Sequence, residues 1–77
     1  MALDILKINN WFKTALTSEI DSLRKEIALT PRQDKVFEMF YLLKKPIDYI
    51  ADECNVCIMV INMELKLIRQ KILRVLP

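Results

Sequence analysis

Glycine and histidine are absent from this 77-residue chain, proline occurs three times and cysteine twice. Without glycine no residue takes the left-handed backbone cheaply, which argues against tight hairpins and phosphate-cradling loops and toward an all-α fold. Without histidine there is no Ser–His–Asp or Cys–His set, and acid–base chemistry near neutral pH loses its commonest side chain. A non-enzyme with no small-molecule substrate is expected. Cys54 and Cys57 form a C-x-x-C, but zinc needs two further ligands that the chain does not have, and the βαβ context of a redox centre is missing. Small apolar packing at a turn is their reading, with no metal and no cofactor. The longest apolar run is Val56–Ile61, far short of the roughly 20 residues that cross a bilayer. Asp4 and Lys7 interrupt the first apolar residues, so neither a secretion signal nor a membrane partner is expected, and the cytoplasm is the expected location.

What is present is apolar and helix-forming. Hydrophobic residues make up 53 % of the chain, a high share for a size at which domains often oligomerise to gain stability. The net charge is +2 and is uneven. Residues 1–53 carry a small negative excess. Residues 54–77 hold Lys66, Arg69, Lys71 and Arg74 against Glu64 alone, so the positive end is the last part of the chain.

Periodicity divides the chain into helices. Ile5, Ile8, Phe12, Leu16, Ile20, Leu23 and Ile27 recur at three and four residues, which predicts one apolar face over residues 2–28. This is either one long helix or two, with Thr17 or Ser18 capping the second. The stripe packs on the rest of the chain or on a second copy, and a homodimer joined by these seven residues is the expectation. In "LTPRQ" Thr30 is a helix cap, Pro31 opens the helix and Gln33 completes a capping box. That helix runs to about Leu43, with Val36, Phe37, Phe40 and Leu43 inward. Pro46 starts a short helix, "PIDYIADEC", with Ile47, Ile50 and Ala51 inward. After a tight turn, the last helix runs from about Cys57 to Leu76 with Ile61, Leu65, Ile68 and Ile72 inward. Two helices joined by so short a turn form a helix-turn-helix unit. The expected layout is an N-terminal amphipathic helix over residues 1–28 and a helix-turn-helix domain over residues 29–77, its three-helix core covering about residues 30–76.

Residues 29–73 also resemble a family. "LTPRQDKVFEMFYLL" is similar to the opening of the helix-turn-helix domains of LuxR-type regulators and of the promoter-reading domain of extracytoplasmic-function sigma factors. In "PIDYIADECNVCIMVINMELKLIRQKIL", Ile50 and Ala51 stand at the family's Ile-Ala pair, Asn55 and Val56 match the turn, and Ile61 takes the place of its buried Val. "ELKLIRQKI" matches the family's closing segment, whereas Cys57 stands where the family has a capping Ser. The resemblance implies a DNA-binding domain whose last helix enters the major groove. The groove-facing residues it implies are Ile58, Met59, Asn62, Met63 and Lys66. Of these only Asn62 and Lys66 hydrogen-bond a base edge or a phosphate.

The apolar share of that face leaves three readings open. It contacts thymine methyls in DNA, it binds a protein through adaptable Ile and Met side chains, or the N-terminal helix covers it. For the basic residues the choice lies between a solvated face that complements the helix dipole and phosphate contacts by Arg69, Lys71, Lys44 and Lys45. Asp48, Asp52 and Glu53 read as solvated carboxylates. The aromatic residues read as core and rim. The function expected first is duplex-DNA binding by a small transcription regulator of phage or mobile-element type. The rival is a module of the same frame that binds a protein, such as a polymerase subunit, a regulator or a defence component, through its apolar face.

Overall fold

The computed structural model describes residues 2–76, which form five α-helices and no strand. They are α1 (Ala2–Thr14), α2 (Thr17–Glu26), α3 (Pro31–Phe37), α4 (Ile47–Glu53) and α5 (Ile58–Val75). The α3 helix continues directly into a π-helical stretch over Glu38–Leu42. Met1 and Pro77, the outer ends of the two expected domains, lie outside the described residues. The all-α class is as expected, and no helix among the described residues is long and apolar enough to cross a membrane.

Residues 2–28 form two helices. The chain breaks at Ala15–Leu16, and Leu16, not Thr17 or Ser18, is the N-cap of α2, with an extended backbone at φ −76°, ψ 157°. Leucine has no side-chain acceptor, so the start is fixed from the other side. Glu19 Oε1 accepts the Leu16 N–H at 2.9 Å, which is one half of a capping box.

The apolar stripe of these helices is largely used inside the molecule, which corrects its assignment to a dimer interface. Ile8, Leu23 and Ile27 are buried in one core with Val36, Phe37, Ile50, Ile61, Leu65, Ile68 and Ile72. Phe12 and Ile20 pack against that core, and only Ile5 and Leu16 of the seven are exposed. A chain this short has few apolar residues to spare from its own interior. The α1 and α2 helices both pack on α5, which is the central element, with α3 and α4 on it as well.

The start of α3 follows the capping box read from the sequence. Gln33 N–H donates to Thr30 Oγ1 at 3.2 Å, and Thr30 N–H donates to Gln33 Oε1 at 3.3 Å. Beyond Phe37 the wider π turn takes more residues per revolution and rotates the side chains that follow. Met39 is therefore buried, Phe40 half-buried, and Leu43, expected inward, is exposed. Arg24 ties α2 to this helix through Asp34 Oδ1 at 2.8 Å, and its guanidinium lies 5.5 Å from the centre of the Phe37 ring.

Among the described residues the left-handed backbone is used three times despite the lack of glycine. Ala28, Lys44 and Asn55 have φ of 48°, 55° and 56°, each just past a helix end. Such a position costs an L-residue about 1–2 kcal/mol, less for asparagine. At Asn55 the return is a Schellman closure of α4. Val56 N–H donates to Ala51 O at 3.0 Å and Asn55 N–H to Asp52 O at 3.2 Å, so the last carbonyls of α4 are satisfied. The chain then turns within Cys54–Cys57 and enters α5.

Candidate nucleic-acid interface

The buried side of α5 is the row Ile61, Leu65, Ile68 and Ile72. This fixes which residues face solvent, because side chains four apart stack into rows on a helix. One outward row is Ile58, Asn62, Lys66, Gln70 and Arg74, all exposed. The neighbouring row is Met59, Met63 and Leu67. Their exposures, with that of Ile58, are 73 % for Met59, 63 % for Met63, 43 % for Leu67 and 50 % for Ile58. The five residues expected to face a groove therefore share one solvent-facing surface at the start of α5.

The N-terminal helices do not cover this surface. Asp4 and Ile5 of α1 line a cleft of about 320 Å³ with Lys66, Arg69, Gln70 and Leu73 of α5, while Ile58, Met59 and Met63 stay exposed. The α2 helix lies along the other flank, at the end of α5, where Glu26 and Ile27 meet Lys71, Arg74 and Val75. The sheltered-core reading of Ile58, Met59 and Met63 is thereby overturned.

The remaining basic residues divide by surroundings. Lys66 and Arg74 are exposed and belong to the polar row. Lys71 is half-buried, and its ammonium donates to Gln33 Oε1 at 2.7 Å and to Ala28 O at 3.2 Å. It holds α5 to the α2–α3 junction, which corrects its assignment to phosphate. Arg69 is half-buried beside Tyr41. Burial pushes the Tyr41 phenol above its ordinary range, and the positive charge of the Arg69 guanidinium offsets part of that rise. Lys44 and Lys45 lie in the connection before α4, where the Lys45 ammonium is 5.2 Å from the centre of the Tyr49 ring.

Cys57 is the N-cap of α5 but makes no side-chain capping bond. It is an exposed free thiol, and Cys54, at the end of α4, is a half-buried one. No group of three or more Cys, Asp or Glu among the described residues is placed to hold a metal ion. The residue that sequence reasoning missed on this face is Leu67, which extends the row of Met59 and Met63 by one turn. Its spacing of four from Met63 was the available signal.

No family model, curated protein or solved structure matches the chain.

Proposed function

We propose that the protein is a small helix-turn-helix DNA-binding regulator, with α4 and α5 as its two-helix unit and α5 as the helix that enters the major groove. One observation carries the reading. Ile58, Met59, Asn62, Met63 and Lys66 lie together, uncovered, on the solvent side of a helix that follows a Schellman turn. The outward rows of α5 carry Lys66 and Arg74 and no carboxylate, which suits a polyanion. Asn62 and Lys66 supply hydrogen bonds to base edges, and Arg74 and Lys66 neutralise phosphate.

The test is fluorescence anisotropy of a labelled mixed-sequence duplex at several salt concentrations. Affinity is expected to fall steeply with salt. Lys66→Ala combined with Arg74→Ala is expected to flatten the slope of log K against log salt by about 0.9 for each phosphate that is no longer neutralised. Absence of salt-dependent binding at low ionic strength rejects the reading.

A second reading is favoured by the exposed row Met59, Met63 and Leu67. An uncovered apolar row with methionine in it also suits a protein partner. Ile58→Lys with Met63→Lys separates the two, because added cations keep or raise the salt-dependent affinity for the mixed-sequence duplex and abolish docking of a protein.

A further inference from the structure

We infer that the duplex read by α5 is thymine-rich, and that the C5 methyl groups of thymine in the major groove are what the Met59, Met63 and Leu67 row recognises. This rests on the DNA-binding reading and gives it a sequence class. The apolar row is one side chain wide. It runs beside the polar row of Asn62, Lys66, Gln70 and Arg74, so both rows lie against the same strip of groove floor. The two rows divide the chemistry of the groove. A base edge offers donors, acceptors and, on thymine alone among the unmodified bases, a methyl group. Asn62 has the paired donor and acceptor that match adenine N7 and N6. Met59, Met63 and Leu67 present neither a strong donor nor a charge. Against guanine O6 or cytosine N4 they would leave polar groups unpaired where water is excluded. Against thymine methyls they bury apolar surface on both sides.

Charge favours DNA over a protein as the occupant. A wholly apolar helix face fits a groove on a partner protein, but here the exposed Lys66 and Arg74 stand in the row on one side of the strip, and the row on its other side, Val60 and Glu64, is half-buried. A narrow apolar strip with cations along one side matches a line of methyl groups with phosphates along one side.

A direct chemical consequence follows. 5-Methylcytosine carries its methyl at the position occupied by the thymine methyl. A T·A pair replaced by C·G presents no methyl to the row, and replacement by 5-methylcytosine·G returns it. Thymine replaced by uracil loses the methyl and nothing else.

The experiment uses the full chain. Preferred duplexes are first selected from a random-sequence pool, and the selected duplex is remade with deoxyuridine for thymidine, with cytosine, and with 5-methylcytosine. Removal of each methyl is expected to weaken binding about fourfold, the equivalent of one buried carbon. Methylation of the substituted cytosine is expected to recover a similar factor. Met63→Ala, at an exposed position whose folding is checked by circular dichroism, is expected to reduce the thymine-to-uracil ratio toward one while the salt slope set by Lys66 stays unchanged. A selected duplex bound equally with thymine and uracil overturns the inference and leaves the DNA-binding reading intact. A thymine preference that persists in both Met59→Ala and Met63→Ala overturns the assignment to this row. Failure to enrich any duplex, with no salt-dependent binding, rejects the DNA-binding reading itself and the inference with it.

Discussion

The Lys71 ammonium sits 2.7 Å from Gln33 Oε1, across 38 residues of sequence. Gln33 is buried and polar, and its side-chain oxygen also receives the Thr30 N–H. One amide oxygen thus closes the start of α3 and anchors the last turns of α5.

Lys71→Ala is expected to cost about 1.5–3 kcal/mol, the usual range for a hydrogen bond to a charged group. Urea denaturation followed by circular dichroism reads the loss. The same substitution should leave the salt slope of DNA binding unchanged. A stable variant with a flattened slope would return Lys71 to the phosphate-binding set.

Ala28→Gly is expected to stabilise the protein by about 1 kcal/mol, because φ 48° suits glycine better than alanine. Lys44→Gly should act in the same direction, and Asn55→Gly less, since asparagine already tolerates the region. In a domain of this size 1 kcal/mol corresponds to about 4–8 °C in Tm, which thermal unfolding resolves. A lower Tm for Ala28→Gly would mean that the left-handed site is not strained in solution.

Met63→Ala and Ile61→Ala, two residues apart on α5, should separate by severity. Ile61 is fully buried, and its truncation is expected to cost about 2–5 kcal/mol through reduced burial and the cavity left behind. Met63 is exposed, and its truncation should stay within about 0.5 kcal/mol. Equal costs would show that the Met63 side is packed in solution, against a second copy for instance.

Alkaline pH tests the Tyr41 site. Its phenol is raised by burial, with Arg69 acting in the opposite direction. The folded state therefore favours the neutral phenol. That contribution is fully present below the unfolded-state value near 10 and is lost as pH rises through the higher folded value. Stability should fall over that window, and Tyr41→Phe should lessen the fall. Denaturant midpoints between pH 8 and 11 for the two proteins settle the matter, and parallel curves would place the loss elsewhere.

Much of this layout was legible because local chemistry and periodicity carry it. The Thr30–Gln33 box needs only a spacing of three, and Ile61, Leu65, Ile68 and Ile72 announce the buried side of α5 by theirs. The groups that were misread depend on what lies across the fold. The stripe through Ile8, Leu23 and Ile27 looks the same whether it meets a second copy or the chain's own α5. Lys71 looks like any other cation until Gln33 is placed beneath it. The break at Ala15–Leu16 interrupts the backbone without interrupting the stripe. The exposure of Leu43 follows from a π turn for which hydrophobic spacing gives no warning. On the proposed binding face, the positions of Ile58, Met59, Asn62, Met63 and Lys66 followed from the resemblance. The exposure of Ile58, Met59 and Met63 depended on how the helices pack around α5.

The single tryptophan, Trp11, meets Phe12 edge-on at 5.0 Å between ring centres and lines a hollow with Val75 and Leu76. It thus sits against the far end of α5 from Met59 and Met63. The molecule consequently carries an intrinsic optical gauge placed away from its proposed binding surface. Emission that shifts on denaturation reports α1 leaving α5, and emission that stays constant on titration with a ligand is compatible with a ligand held at the other end.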